Sequence, residues 1–157
     1  MKIKKATLKD AKRISNLIKR SILNAKINKY TPEQKKGLIE KNSLSIIKDK
    51  IKNFEMFCAF KKEKLIGTIY LGEKYKRKFK IGGLYIEPKF LNQRIGTKLL
   101  KFAEEYAKKK DIKKIHLYSL RFSKEFYLKQ GYKINKSYIW RIGKTKTITH
   151  GMEKKLK

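Results

Sequence analysis

The chain has 157 residues, 40% of them hydrophobic, with nine Tyr and eight Phe, which is apolar mass enough for one packed domain and too much for a disordered segment. Its 44 Lys and Arg against 13 Asp and Glu give a formal charge of +31, and a single cysteine excludes an intramolecular disulfide. The longest apolar run, Ile81 to Ile86, falls far short of the roughly 20 residues a spanning helix needs. No membrane contact and no signal peptide are expected, and a cytoplasmic protein is the default.

In chain order, Ile3 to Thr7 reads as a first strand. Thr7 followed by Asp10 resembles a capped helix start, and Ala11, Ile14, Leu17, Ile18 and Ile22 continue at helical spacing. Thr31-Pro32-Glu33 opens a second helical region, with a capping hydroxyl and proline in the first turn. It breaks near Asn42 and resumes through Ile46, Ile47 and Ile51. Phe54 to Lys61 and Lys64 to Leu71 form a hairpin about Lys62-Glu63, and Lys80 to Glu87 is a strand ended by Pro88. Ile95, Leu99, Phe102, Ala103, Tyr106 and Ala107 mark an amphipathic helix. Ile115 and Leu117 lie on another strand, and Ser123 to Gln130 form a short helix stopping at Gly131. Tyr138 to Ile142 and Thr145 to Met152 close the chain as an antiparallel pair about Gly143-Lys144. With no repeat and no linker, residues 1–157 read as a single mixed α/β domain, too antiparallel for a Rossmann fold.

The most informative segment runs from Leu84 through Ile86-Glu87-Pro88 and Leu91-Asn92-Gln93-Arg94-Ile95-Gly96-Thr97. A strand, a short turn and a helix opening on glycine suit a phosphate, because unpaired amides and the helix dipole converge there. The strand end in apolar-x-Pro, the spacing to Ile95-Gly96 and the following Leu99-Leu100 resemble the GNAT superfamily of acetyl-CoA-dependent N-acetyltransferases, whose motif is Gln/Arg-x-x-Gly-x-Gly/Ala. Two positions depart: Leu91 stands where Gln or Arg is usual, and Arg94 where the first glycine is usual. If Arg94 needs positive φ it costs about 1–2 kcal/mol, which a charge-assisted bond from its guanidinium to the pyrophosphate would offset.

A second stretch, Phe126-Tyr127-Leu128-Lys129-Gln130-Gly131-Tyr132, resembles the family's Phe-Tyr-x-x-x-Gly-Phe element, with Ser123 at the small residue before it. Lys29-Tyr30-Thr31-Pro32-Glu33-Gln34 and the closing strand extend the resemblance over most of the chain. It implies a GNAT fold: a central, mostly antiparallel sheet splayed around the cofactor and flanked by about four helices. It implies acetyl-CoA as co-substrate, bound by Leu84, Ile86, Leu91, Asn92, Gln93, Arg94, Ile95, Gly96, Thr97, Ser119, Ser123 and Phe126. Ser119 substitutes there for the pantetheine contact that Leu120 does not make. It implies Tyr127 as the acid protonating the departing thiolate, and backbone N–H near Ile86 polarising the acetyl carbonyl.

The base is not evident. Glu87 is one candidate, His116 and His150 are weaker ones, and water relay is the alternative. Cys58, among Phe57, Ala59 and Phe60, reads as core, and one Cys with two distant His makes no metal site. Tyr138 and Trp140 either line an acceptor pocket or pack. The expected reaction is direct acetyl transfer to a primary amine of a small molecule or protein. Cationic acceptors are disfavoured by the net field unless Asp10, Glu33 and Glu40 cluster. The other reading is a non-catalytic module of the same fold that binds acetyl-CoA or nucleic acid. The charge also suggests weak association with polyanions. Oligomeric state is left open between monomer and homodimer.

Overall fold

In a computed structural model, residues 1–26, 29–75 and 78–157 are described. The elements are β1 (Lys2–Lys5), α1 (Ala11–Leu23), α2 (Pro32–Glu40), α3 (Leu44–Asn53), β2 (Glu55–Lys61), β3 (Lys64–Tyr75) and β4 (Lys78–Ile86). They continue with α4 (Ile95–Lys109), β5 (Lys114–Leu120), α5 (Lys124–Lys129), β6 (Lys133–Ile142) and β7 (Thr145–Lys155). Short 3-10 turns at Leu8–Asp10 and Pro88–Phe90 precede α1 and α4. The seven strands form one sheet in the order β1-β2-β3-β4-β5-β7-β6, antiparallel except for β4 against β5. Among the described residues five helices flank the sheet, in line with the about four expected, and the helical region after Thr31 divides near Asn42, as its sequence suggests, into α2 and α3.

Local chemistry explains the helix starts. The Thr7 backbone N–H and hydroxyl both donate to the Asp10 carboxylate at 2.9 Å. At α2 the Gln34 amide donates to the Thr31 hydroxyl and the Thr31 amide donates back to the Gln34 side chain, both at 3.1 Å. The sheet is covered on both faces, and β2 alternates between them. Phe57 and Ala59 enter the core under α4, whereas Met56 and Cys58 enter the core under α1, α2 and α3. Burial of apolar surface at about 25 cal/mol per Å² is the main force clamping these layers. Ile14, Leu17, Ile18 and Ile22 seal α1, and Leu99, Leu100, Ala103 and Ala107 seal α4. A buried polar tie joins α4 to the closing strands. The Tyr132 hydroxyl donates to Glu104 at 3.0 Å, and Lys154 donates to the same carboxylate at 2.8 Å.

Two irregularities shape the middle of the sheet. Between Thr68↔Tyr85 and Tyr70↔Gly82, Gly83 and Leu84 face the single residue Ile69, a bulge with Gly83 at φ +61°. On its other side β4 is in register with β5 at one position only, Lys80↔His116. Beyond that pair no register joins Ile81–Ile86 to Leu117–Leu120 among the described residues. The result is a wedge between Ile81–Ile86 and Leu117–Leu120, with the polar backbone edge of β4 unused by β5. His116 lies at the closed end of this wedge.

Candidate active site

The open end of the wedge is where β4, α4, β5 and α5 meet. β4 ends at Ile86, the chain turns through Pro88–Phe90, and α4 begins at Ile95. Proline at 88 has no N–H to offer and fits the first position of that turn. The loop is then bent by two left-handed residues, Asn92 at φ +61° and Arg94 at φ +58°. Asn reaches this region with little strain. Arginine does not, so Arg94 carries the backbone cost expected where related loops have glycine. The bend leaves a row of donors: among the described residues, no hydrogen bond uses the amides of Asn92 through Thr97, and the first amide to be used is Lys98, which donates to the Arg94 carbonyl at 3.0 Å. A run of free N–H groups at the start of a 15-residue helix is an anion cradle. The residues present therefore fit a pyrophosphate.

Other residues named from the sequence fall around this loop. Leu91, Asn92, Gln93 and Arg94 are exposed, and Gln93 donates to the Lys89 carbonyl at 3.3 Å. Ile95 is buried beneath the loop, with Gly96 and Thr97 half-buried. A Cβ on Gly96 would meet the Phe126 ring at 3.6 Å, so α5 packs directly against the start of α4. Phe126 also stacks edge-on with Tyr127 at 5.0 Å. The two sequence motifs therefore meet in space. Ser119 is buried on β5, its hydroxyl donating to the Leu120 carbonyl at 3.0 Å, and Ser123 is half-buried just before α5. Leu84 belongs to the bulge and Ile86 to the last paired position of β4, opposite Gly67.

Tyr127 is buried, and its hydroxyl has no hydrogen-bond partner among the described residues. Burial raises its pKa, with smaller contributions from Tyr70 and Tyr30 in the same direction. Tyr85 on β4 is shifted the same way by burial, then by Tyr30, Tyr70 and Tyr127. Four phenols thus lie within Coulombic reach of one another at the wedge, all held neutral. Sequence reasoning missed Tyr70, Tyr85 and the role of Gly82-Gly83. A Cβ on Gly82 would fall 2.4 Å from the Tyr70 ring, and one on Gly83 would fall 2.7 Å from it, so the glycines admit that ring across the bulge. Adjacent glycines inside a strand were the available signal.

Glu87 is buried, and Arg20 of α1 grips it with two guanidinium nitrogens at 2.7 and 3.1 Å. Sequence reasoning missed this partner. His116 sits away at the closed end of the wedge, 3.7 Å from Glu153, and burial lowers its pKa. His150 on β7 shares a 2.9 Å bond with the Ser137 hydroxyl. Cys58 is fully buried, and burial pushes its thiol up to about 12, as suits a core residue. Among the described residues no cluster of His, Cys, Asp or Glu is arranged to hold a metal.

Beside the wedge lies a cavity of about 440 Å³, bounded by residues 29–31, 34, 121–122, 139 and 146–148. It lies between the α1–α2 connection, the turn after β5 and the β6–β7 hairpin. Tyr138 and Trp140 do not line it. Tyr138 packs edge-on to Tyr118 at 5.9 Å, and Trp140 packs against the core beside Lys41, whose ammonium lies 4.7 Å from the ring.

The family model described as "Acetyltransferase (GNAT) family" matches residues 23–132. The PaiA N-acetyltransferase of Thermoplasma acidophilum, solved in complex with coenzyme A, is 27% identical with a TM-score of 0.81, covering 98% of each chain. A GCN5-related N-acetyltransferase from Rhodopseudomonas palustris superposes with a TM-score of 0.89 at 18% identity, covering 99% of this chain and 95% of its own. Ribosomal-protein-alanine N-acetyltransferase from Brucella melitensis gives 0.72 at 16% identity, covering 99% and 100%. The last two are likenesses of fold. No curated protein matches the sequence.

Proposed function

The chain belongs to the acetyltransferase (GNAT) family, and on that premise we propose that it transfers an acetyl group from acetyl-CoA to a primary amine of a small molecule or protein, directly and within a ternary complex. The observation that carries this reading is the row of unused amides from Asn92 to Thr97 at the mouth of the β4–β5 wedge. The row suits a diphosphate. The open backbone edge of β4 suits the amide-bearing pantetheine arm that would follow it into the sheet. Coenzyme A bound to the 27% identical PaiA protein supports the same ligand here.

In the proposed reaction the amine nitrogen bonds to the acetyl carbonyl carbon, the carbon–sulfur bond breaks, and sulfur leaves with the electron pair. The amine loses its proton to water and the thiolate gains one, leaving amide and free thiol. The β4 bulge is the candidate for polarising the carbonyl. A bulge takes a residue out of the β3 ladder, and donors fixed before the reaction need no reorganisation during it. Tyr127 is the candidate acid. Its raised pKa keeps the phenol protonated throughout the working range, ready to donate to sulfur. A thiolate expelled into the same dry slot is desolvated too. Desolvation raises the proton affinity of a thiolate, which narrows the gap between donor and acceptor. We assign Glu87 to bracing: the ion pair with Arg20 ties α1 to the strand end that launches the loop. Proton removal from the amine then falls to water.

The test is titration of the full chain with acetyl-CoA, followed by calorimetry and by amide NMR. Saturable heat with shifts at residues 92–97 is expected. An absence of heat and of amide shifts, together with strong thermal stabilisation by RNA at moderate salt, would replace this reading with a basic binding module.

A further inference from the structure

We propose that the acceptor is an anionic amine, a small molecule carrying a primary amino group and one or more carboxylates, seated in the cavity between the α1–α2 connection, the turn after β5 and the β6–β7 hairpin. This rests on the acetyltransferase reading and adds to it the class of acceptor.

Three cations from three separate segments line the cavity: Lys29, Arg121 and Lys146. Among the described residues no carboxylate lines it. None of the three has a carboxylate partner among the described residues, so the cavity keeps its positive potential. The nearby acids make their contacts outside the cavity and do not pair with the three cations. The Glu33 carboxylate accepts the Lys144 amide at 3.0 Å, across the hairpin turn, and Asp10 caps α1 through Thr7. Like charges around one concave space repel each other, and a bound anion is what relieves them.

The details favour a carboxylate over a diffuse counterion. The Arg121 guanidinium lies over the Phe122 ring, 4.8 Å from its centroid. Stacking uses the face of the guanidinium and leaves its in-plane N–H fork, which matches two carboxylate oxygens. Phe122 meets Tyr30 edge-on at 6.1 Å, which gives the pocket an apolar wall for a short carbon chain. A volume of about 440 Å³ belongs to a small ligand rather than to a folded surface. The cavity also adjoins the reaction. Arg121 and Phe122 follow Leu120 at the open end of β5, and Tyr30 is within Coulombic reach of Tyr127. A polyamine would meet three cations here and a net field of +31 outside.

The experiment measures thiol release by the full chain at saturating acetyl-CoA. The acceptors are glutamate and aspartate, their side-chain amides glutamine and asparagine, and spermidine. Glutamate or aspartate is expected to exceed its amide at least tenfold in kcat/KM, to exceed spermidine further, and to lose its lead as salt is raised. Arg121→Gln and Lys146→Gln are expected to raise the KM for the acidic acceptor roughly tenfold to a hundredfold, the range for losing one hydrogen bond to a charged group. Both side chains are exposed, so melting temperature and acetyl-CoA affinity stay as in the parent. Arg121→Glu should shift preference toward spermidine. Preference of the parent for spermidine overturns the proposal. So does equal use of acid and amide, unchanged KM in both Gln variants, or no turnover of any probe while acetyl-CoA binds. Failure to bind acetyl-CoA at all is a different result, which takes the acetyltransferase reading down as well.

Discussion

The two halves of the site are made of different material. On the cofactor side, β4, the Pro88–Phe90 turn and the start of α4 act through backbone: a bulge at Gly83, two left-handed residues and a row of free amides. On the acceptor side, the α1–α2 connection, the turn after β5 and the β6–β7 hairpin act through side chains, chiefly Lys29, Arg121 and Lys146. A backbone-built site constrains spacing, glycine and proline, so a diphosphate loop can be recognised by its spacing even with Leu91 and Arg94 out of pattern. A side-chain-built site constrains only what converges in space, and segments far apart in sequence give no local sign of it.

If the comparison holds, changes on the cofactor side should affect chemistry or fold and leave acceptor choice alone. The largest effect is expected for Tyr127→Phe. Loss of a general acid lowers kcat about 10²–10⁴-fold. The phenol has no hydrogen-bond partner among the described residues, so its removal should change folding stability by less than about 1 kcal/mol. Steady-state kinetics beside a urea melt would separate the two. A fall in stability with kcat unchanged would make Tyr127 a packing residue.

Next in size is Gly83→Ala. The new Cβ would sit 2.7 Å from the Tyr70 ring at a residue with φ +61°. Left-handed strain of about 1–2 kcal/mol plus displacement of the ring should lower unfolding stability by roughly 2–4 kcal/mol. A urea melt reads this directly, and an unchanged midpoint would mean the bulge is soft. The same change should depress turnover at permissive temperature if the bulge aims the polarising N–H groups.

These positions also mark what could and could not be read in advance. Period and capping placed nearly every element. Thr31 and Gln34 form the reciprocal cap that the sequence suggests, and the five α1 positions read at helical spacing, Ala11, Ile14, Leu17, Ile18 and Ile22, are all buried. The wedge was not readable from periodicity, because the parting of β4 from β5 is a property of two strands together. Only the family resemblance supplied it. The β6 strand is longer than the Tyr138–Ile142 expected, since Lys133–Ser137 is an exposed edge with no apolar alternation to betray it. The Arg20–Glu87 pair escaped for a similar reason: 67 residues separate partners that α1 brings together only after packing.

Arg94→Gly comes third, and it sharpens the contrast because one residue carries both a backbone and a side-chain role. Glycine removes the left-handed cost of about 1–2 kcal/mol but frees the unfolded chain by a comparable amount, so the ligand-free melt should move little. Acetyl-CoA affinity should fall about tenfold or more if the guanidinium bonds the pyrophosphate. Calorimetry decides this, and unchanged affinity would leave the loop amides as the whole cradle.

The smallest effect concerns His116, at the point where β4 and β5 still pair before the wedge opens. Burial lowers its pKa first, Glu153 opposes that shift, and Lys78 and Lys114 reinforce it. The folded protein therefore binds this proton less readily than the unfolded chain, whose histidine titrates near the ordinary value of about 6.5. By linkage, the stability contributed by neutral His116 is present above that value and is lost as pH falls through it toward the lowered folded pKa. Comparing parent with His116→Gln should show the parent losing slightly more stability between about pH 7 and 5, with the C2 proton titrating below 6.5 in the folded state. A histidine titrating above 6.5 would reverse the sign. It would mean that Glu153 dominates, so that the closed end of the wedge is held by an ion pair and not by a dry strand contact.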